Sequence, residues 1–242
     1  MNQQAEISIE PESEISVRIS FGQVIDELIF KRITAINQAI HLSPFPGFVE
    51  SVPAYTTLTV FYDPMVVAKT SDNAGTNIFP LVIRYLENVL QDVRQLQPQQ
   101  DKPPFLIPVC YGGRFGPDIE EVAAQSKLTV DDVIRLHTQT VYTVYLVGFL
   151  PGFPYLGGMN EKLATPRRLI PRKKVPAGSV GIAGLQTGVY PIDSPGGWQL
   201  IGLTPMRMFD IGADSPALLR AGDRVQFCRI TASEFYELSP DL

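Results

Sequence analysis

The chain has 242 residues, which is enough for two domains of ordinary size. Hydrophobic residues make up 45% and charged residues 19%, so the composition supplies a buried core and excludes a globally disordered chain. The net charge is −5, and basic residues concentrate only between positions 167 and 174, which argues against a nucleic-acid-binding protein.

The N-terminal stretch MNQQAEISIEPESEISV is acidic and lacks the basic start and apolar centre of a secretory signal. No apolar run approaches the roughly 20 residues that span a bilayer. These features predict a cytoplasmic protein without a membrane segment. Cys110 and Cys228 are the only cysteines and lie in apolar, strand-like contexts, so we expect buried free thiols rather than a disulfide.

Two kinds of apolar spacing predict the elements of the first half. Alternation of apolar and polar residues indicates strands, and apolar residues at steps of three and four indicate helices. The predicted elements are a strand over 15–21, a helix over 24–40, strands over 48–54 and 57–64, and a helix over about 78–93. This β-α-β-β-α order predicts a small α/β domain over residues 1–97 with its helices on one face of the sheet.

The segment QLQPQQDKPP at 95–104 is rich in proline and glutamine and is typical of a linker. We place the domain boundary there and assign residues 98–242 to a second domain. Its first predicted elements are a strand over 105–111 and helices over 119–124 and 130–137. Between 148 and 205 the chain holds eleven of its 19 glycines and eight of its 21 prolines. Such density favours short strands joined by tight turns, as in a β-barrel or a sandwich.

Short motifs for nucleotide, metal and nucleophile chemistry are absent from the sequence. It contains neither GxxxxGK[ST] nor GxGxxG, and no HExxH, CxxC, GxSxG or EF-hand loop. The two imidazoles and two thiols are too few and too dispersed to predict a metal site. His137 could act as a general base, but its place at the end of an amphipathic helix favours a structural role as a helix cap.

The stretch 118–137 follows the helix-turn-helix scheme of DNA-reading modules. Its second helix carries Asp131 and Asp132 where the phosphate backbone would approach, and Arg135 is its only cation. Charge repulsion therefore favours a pair of packing helices over a DNA reader.

The segment rich in glycine, proline and aromatic residues is the best candidate for a binding site. Apolar walls with a few fixed hydrogen-bonding groups are the usual composition of a small-molecule pocket. A barrel whose turns need glycine and whose core takes the rings explains the same composition, so both interpretations stay open. Phe149 and Leu156 are expected to point inward. The candidate pocket residues are Phe153, Pro154, Tyr155, Arg167, Arg168, Ser179, Gln186, Thr187, Tyr190, Ser194, Gly196, Gly197 and Trp198.

Several long strings of the sequence resemble the allophanate hydrolase subunit 1 family. They are GFLPGFPYLGGM, ATPRRLIPRKKVPAGSVGIAGLQTGVYPIDSPGGWQLIGLTP and AGDRVQF. The resemblance extends upstream through IPVCYGGRFGPDIEEVA and more loosely to PGFVESVPAYTTLTVFYDP, so it covers nearly the whole chain. The family includes the kinase A inhibitor of sporulating bacteria and the B subunit of 5-oxoprolinase, and the chain is most similar to the latter branch.

The resemblance implies a cyclophilin-like β-barrel as the second domain, and it implies partner proteins. Members act with a subunit 2 protein, which is called the C subunit in 5-oxoprolinases. In those enzymes an A subunit completes the ATP-dependent opening of 5-oxo-L-proline to L-glutamate. The chain would then be a non-autonomous subunit of an amide (lactam) hydrolase that binds a small-molecule substrate. The implied cofactor is ATP with Mg²⁺, held by the assembled complex, because this chain has no recognisable nucleotide motif.

Two alternatives remain open within the same family. One is a regulatory inhibitor of a sensor histidine kinase, and the other is a component of a urea or allophanate pathway complex. Arg114 stands where the family pattern YGG-x-FGPD has an acidic residue, which leaves the role of this side chain open. Asp118 is retained, and its place directly before a predicted helix is typical of an N-cap.

Overall fold

A computed structural model describes residues 7–70, 77–95 and 103–239. The chain divides into two compact units, Met1–Gln100 and Asp101–Leu242. The first contains a four-stranded sheet and the second a closed seven-stranded barrel, so the predicted α+β class is confirmed. Most of the predicted linker lies outside the described residues.

The first unit is an antiparallel sheet, with strand order β1-β2-β4-β3, covered by helices. Its elements are β1 (Ser8–Ser13), β2 (Ser16–Ser20), α1 (Glu27–Leu42), β3 (Phe48–Pro53), β4 (Thr57–Tyr62), α2 (Pro64–Ala68) and α3 (Phe79–Gln95). Helix α1 contacts α3 and the strands β3 and β4. Its residues Phe30, Ile33, Ile36 and Ile40 are buried at the helical spacing read from the sequence.

The predicted β-α-β-β-α order lacked two elements, β1 and α2. Strand β1 reads SIEPES, is mostly exposed, and pairs only with β2 at the edge of the sheet, where a proline is tolerated. Its sequence therefore has no apolar alternation. Helix α2 has only five residues, and the Asp63 carboxylate caps it by accepting from the N–H groups of Met65 and Val66 at 2.8 and 3.2 Å.

The start of α1 also differs from the prediction. The helix begins at Glu27 because the Asp26 carboxylate accepts from the N–H groups of Leu28 and Ile29 at 2.8 and 3.1 Å. Val24 and Ile25, which the apolar spacing placed in the helix, precede it and are exposed.

The second unit is a barrel with strand order β10-β7-β6-β13-β5-β12-β9, closed by pairing of β9 with β10. Its strands are β5 (Phe105–Tyr111), β6 (Val141–Val147), β7 (Pro154–Gly157), β8 (Arg172–Val175), β9 (Ser179–Ala183), β10 (Gln186–Val189), β11 (Ser194–Gly196), β12 (Gln199–Leu203) and β13 (Arg224–Arg229). Its helices are α4 (Ile119–Ser126), α5 (Val130–Gln139), a short 3₁₀ helix (Glu161–Leu163) and α6 (Ala232–Leu238). Strands β8 and β11 form a separate two-stranded ribbon.

One buried cluster joins the barrel interior to the helices α4 and α5. Leu156, Val189 and Phe227 belong to it from the strands, and Val122 and Val133 from the helices. The two helices therefore pack on the barrel, as the acidic second helix led us to expect. No described helix is long and apolar enough to cross a membrane.

Candidate functional site

Four aromatic rings form a cluster centred on Phe153, and the exposed ring of Phe149 adjoins it with its centroid 5.8 Å from that of Phe153. The centroid of the Phe153 ring lies 4.9 Å from that of Tyr155, 5.2 Å from that of Tyr190 and 5.3 Å from that of Trp198. Tyr155 and Trp198 also approach each other, with centroids 5.9 Å apart. Phe153, Tyr190 and Trp198 are buried, whereas Tyr155 is partly exposed. The rings predicted as pocket walls are thus brought together.

This cluster lies on the outer face of the barrel wall. Successive side chains of a strand point to opposite faces, and Leu156 of β7 belongs to the interior cluster while its neighbour Tyr155 packs with the rings. Gly196 of the ribbon strand β11 approaches the rings closely, because a Cβ placed there would lie 2.4 Å from the Tyr190 hydroxyl. Glycine at this position allows the ribbon to cover the cluster.

Two arginines next to the rings share one buried carboxylate. Asp118 Oδ1 accepts from Arg168 Nη1 at 3.0 Å and from Arg172 Nη2 at 2.6 Å, and its Oδ2 accepts from the Leu200 N–H at 2.6 Å. The Asp118 side chain is only 6% exposed. Although it occupies the N-cap position of α4, it makes no capping hydrogen bond, so the interpretation of Asp118 as a helix cap is wrong.

Backbone contacts connect the arginines to the aromatic cluster. The Arg168 N–H donates to the Gly197 carbonyl at 2.7 Å, directly before Trp198. Strand β8, which carries Arg172, pairs with β11 so that Arg172 lies opposite Gly196. We call this assembly of Asp118, Arg168, Arg172 and the four rings the arginine–aromatic site.

Several buried polar atoms around the site have no hydrogen-bond partner among the described residues. They are Arg168 Nε, Arg172 Nη1, Ser194 Oγ and Gln199 Oε1. The Gln199 side chain is held at its other end, where Nε2 donates to the Pro166 carbonyl at 3.1 Å. Buried polar atoms are nearly always paired, so two donors, an acceptor and a hydroxyl here are suited to a bound molecule or to ordered water.

Arg167 adds a third positive charge near the rings. Burial raises the pKa of the Tyr155 and Tyr190 hydroxyls, and the Arg167 charge opposes that rise at both residues. The guanidinium therefore lies within electrostatic reach of two rings while remaining exposed to solvent. Both phenols are protonated at neutral pH and can donate hydrogen bonds.

The other predicted pocket residues lie on both faces of the barrel wall. Pro154 opens β7 beside the rings, and Ser194 lies in β11 opposite Val175, a buried neighbour of the cluster. Ser179 is buried in β9, and Gln186 is partly exposed at the start of β10. Thr187 is not brought to the rings, since its Oγ1 donates to the Gly181 carbonyl at 2.9 Å and lies 3.0 Å from His137 Nε2.

His137 is fully buried in the second unit rather than capping the exposed end of α5. Its Nδ1 lies 2.7 Å from the Tyr111 hydroxyl, and its ring stacks on Phe227 at 4.4 Å between centroids. Burial lowers the pKa of His137 to about 3, so the imidazole is neutral at physiological pH. Both ring nitrogens have structural partners, which gives this histidine a packing role.

Phe149 differs from its prediction, whereas Leu156 agrees with it. Leu156 is fully buried, but the Phe149 side chain is 67% exposed and its backbone has a φ of +71°. Of the two thiols, Cys110 is buried and Cys228 is only partly buried, and both are free. Within the described ranges, no group of three or more metal-ligating side chains comes together.

The chain matches a protein-family model over most of its length. The model described as carboxyltransferase domain, subdomain C and D, matches residues 7–219. The chain belongs to this carboxyltransferase family. The resemblance inferred from the glycine- and proline-rich strings is confirmed by its similarity to proteins named as the B subunit of 5-oxoprolinase.

This family member is 47% identical over 228 residues to the B subunit of 5-oxoprolinase from Bacillus subtilis (strain 168), covering 94% of the chain and 95% of the relative. It is 43% identical over 198 residues to that of Escherichia coli O157:H7, covering 81% and 84%. The solved structure of TTHA0988 matches with a TM-score of 0.75 at 35% identity over 90% of the family member. The family member spans only 40% of that solved chain.

Sequence reasoning missed the role of Asp118. The signal that could have revealed it is the basic segment 167–174, because arginines that fold onto a barrel wall need a carboxylate partner. Asp118 lies 50 residues before Arg168 in the chain, and no local sequence pattern links the two residues.

Proposed function

We propose that this chain is the B subunit of a 5-oxoprolinase, a non-autonomous component of a complex that opens 5-oxo-L-proline to L-glutamate. The observation that carries the proposal is the 47% identity to a protein of that name over 94% of this chain and 95% of the relative. The match is not confined to the barrel, so both units are accounted for. Within the complex the chain acts with the A and C subunits.

The arginine–aromatic site is proposed as this chain's contribution to substrate binding. The substrate has a carboxylate, a lactam N–H and a lactam carbonyl on a small apolar ring. Unpaired N–H donors of Arg168 and Arg172 suit the carboxylate or the carbonyl, and the Gln199 Oε1 acceptor suits the lactam N–H. The partly exposed ring of Tyr155 offers the apolar surface that packs against the methylene groups.

Hydrolysis of an unstrained five-membered lactam is unfavourable at equilibrium, which gives the complex a reason to consume ATP. Negative charge develops on the lactam oxygen during ring opening, and fixed N–H donors stabilise such charge. The residues described here do not form a carboxylate cluster for Mg²⁺. We therefore assign ATP and Mg²⁺ to the assembled complex and give this chain the task of binding and orienting 5-oxoproline.

The proposal is tested by reconstitution. The purified chain is mixed with the A and C subunits, 5-oxoproline and ATP, and glutamate formation is followed. We expect glutamate only when all three proteins are present. An unchanged rate when this chain is omitted would contradict the assignment, and inhibition of a sensor kinase by the isolated chain would favour the regulatory alternative.

Within the reconstituted complex, Gln199→Leu tests the role of the arginine–aromatic site. The substitution removes the unpaired acceptor but keeps a side chain of similar size, so we expect KM for 5-oxoproline to rise about tenfold or more. The matched control is Gln226→Leu on β13, whose amide donates to the Thr138 carbonyl at 3.0 Å away from the rings. Equal effects of the two variants would remove Gln199 from the substrate site.

The loop that carries the arginines also presents an apolar pair to solvent. Leu169 and Ile170 are 101% and 80% exposed, and the exposed cations Arg167 and Lys173 lie within four residues of both in the chain. Large exposed apolar side chains next to charges are typical of a protein interface. We assign this loop to contact with the C subunit, on a surface of that partner that combines an apolar depression with acidic residues.

Leu169→Asp tests this contact. The charge would oppose apolar docking and would repel an acidic partner surface, so co-purification with the C subunit should be lost. Ile211→Asp is the matched control, because Ile211 is 86% exposed in a different loop and should leave the complex intact. If the Leu169→Asp variant retains the C subunit, the interface lies elsewhere.

A further inference from the structure

A cleft of about 500 Å³ opens on the second unit and shares no lining residue with the arginine–aromatic site. Its walls come from the end of β5, the turn that follows it, the end of β13 and the start of α6. Among the lining residues are Cys110, Gly112, Gly113, Arg114, Arg229 and Glu234. Its volume falls within the range of small-molecule sites.

One guanidinium group reaches this cleft from the turn after β5 and another from the end of β13. Arg114 lies 5.0 Å from the centroids of both the Phe115 and Tyr236 rings, and it forms no ion pair with any carboxylate of the described residues. Cation–π contacts with two rings hold its orientation without neutralising its charge. Arg229 also lines the cleft and pairs with Asp131 at 3.2 Å.

Both positive charges act on the same wall of the cleft. Burial raises the pKa of the Cys110 thiol, and the charges of Arg229 and Arg114 oppose that rise. Both guanidinium groups also line the same cleft, so their charges favour an anion bound there. Bidentate arginine contacts are the geometry that carboxylate and phosphate oxygens favour.

The turn after β5 adds backbone donors. Gly112 and Gly113 have φ of +73° and +52°, and a Cβ on Gly113 would meet no atom within 4 Å, so a ligand can approach this backbone closely. The N–H groups of Phe115 and Gly116 both donate to the Gly112 carbonyl, at 3.0 and 3.0 Å. The N–H groups of Gly113 and Arg114 donate to none of the described residues.

The carboxylates near the cleft already have hydrogen-bond or ion-pair partners. The Glu234 carboxylate accepts from the Thr231 N–H at 2.7 Å and from its hydroxyl at 2.8 Å, which directs it to the start of α6. Asp131 competes for Arg229, but both partners are well exposed, and a surface pair contributes only about 0–1 kcal/mol. An incoming anion can therefore displace Asp131 at little cost.

We propose that this cleft binds a phosphate-bearing small molecule of nucleotide size. Two guanidinium groups and two N–H donors without a described partner are suited to phosphate oxygens, and the volume of the cleft also accepts an organic part. The sequence gives no sign of such a site because its donors come from a turn and from a strand more than 100 residues later in the chain. This site is additional to the Mg²⁺-ATP that we assign to the assembled complex, and its test uses the isolated chain. A failure of this proposal would therefore leave the 5-oxoprolinase assignment standing.

The test is calorimetric titration of the isolated full chain with inorganic pyrophosphate, with ATP in the absence of Mg²⁺, and with adenosine. Pyrophosphate and ATP should each bind at one site, and adenosine should give no heat. Arg114→Gln and Arg229→Gln should each weaken binding about tenfold or more, because each loses charge-assisted hydrogen bonds. Asp131→Asn should tighten binding, since it frees Arg229.

Arg135→Gln on α5 is the matched control, because Arg135 is exposed and pairs with Asp132 as Arg229 pairs with Asp131. It should leave affinity unchanged. Absence of saturable pyrophosphate and ATP binding at millimolar concentration would overturn the proposal, as would equal affinity of the wild type and both arginine variants. Circular dichroism of each variant confirms that it is folded, so a loss of binding reports on the cleft.

Discussion

Asp118 is the residue on which the arginine–aromatic site depends. One of its oxygens holds both guanidinium groups, and the other holds the backbone of β12 through the Leu200 N–H. The sequence presents it as a helix cap, because local context cannot reveal a partner 50 residues away. Trp198 and Phe153, by contrast, were found by composition, since rings in a glycine-rich segment must pack somewhere.

Asp118→Asn should destabilise the chain and misplace the arginines. The amide keeps an acceptor for the Leu200 N–H but loses the charge that holds Arg168 and Arg172. Because these arginines are 38% and 22% exposed, we expect a loss of about 1–3 kcal/mol in the free energy of unfolding by urea, below the cost of breaking a fully buried pair. Asp132→Asn affects an exposed pair with Arg135 and an exposed hydrogen bond from the Thr129 hydroxyl, so it should cost less than about 1 kcal/mol.

The buried His137 makes stability depend on pH. Its pKa is about 3 in the folded chain and close to 6.5 when unfolded, so the unfolded state binds the proton more readily. Its contribution is complete above pH 6.5 and is lost as the pH falls toward 3. We expect about 2 kcal/mol less stability at pH 5 than at pH 7. His137→Gln should remove this part of the slope in urea unfolding, and an equal slope in both proteins would contradict the assignment.

At the scale of elements, prediction succeeded where one face of a helix or strand is buried. Helix α1 and strand β4 were found because core contact imposes regular spacing on their apolar residues. Strand β1 escaped notice because neither of its faces is deeply buried, and α2 because five residues are too few for a period. The Asp63-Pro64 pair, a cap followed by a proline at the first helical position, is the signal that could have found α2.

The turn before α4 packs directly against the backbone of β12 because its residue Gly116 has no side chain. A Cβ on Gly116 would lie 1.9 Å from the Ile201 carbonyl oxygen, so Gly116→Ala must displace the backbone that positions Asp118. We expect a loss of about 3 kcal/mol or more in thermal or urea unfolding. Gly184→Ala is the control: its φ is +59°, but nothing lies within 4 Å of the added carbon, so only about 1 kcal/mol should be lost.

At the scale of the molecule, the barrel is closed by strands from distant parts of the chain. Strand β13 lies between β5 and β6 and pairs in parallel with β5, the first strand of the unit. No sequence pattern specifies such a neighbour, which is why the barrel was foreseen as a class and its strand order was not. The arginine–aromatic site could not be predicted for the same reason, since its residues come from four separate stretches of the chain.

Phe227→Ala tests whether the barrel opens as one unit. Phe227 of β13 is 1% exposed and packs on His137 and Tyr142, so truncation should cost about 3–5 kcal/mol. Hydrogen exchange should then accelerate in β5 and β6 together, because both lose the same neighbour. Faster exchange confined to β13 would show that the strands open separately.

The position of β13 has a consequence for synthesis on the ribosome. The four strands of the first sheet are all available once Tyr62 has left the exit tunnel, whereas the barrel lacks its closing strand until Arg229 has left it. At about 5–20 residues per second, the open edges of β5 and β6 are exposed for several seconds. Chaperone capture during translation should therefore concentrate on the second half of the nascent chain, and transcripts that stop before residue 224 should yield protein that is degraded.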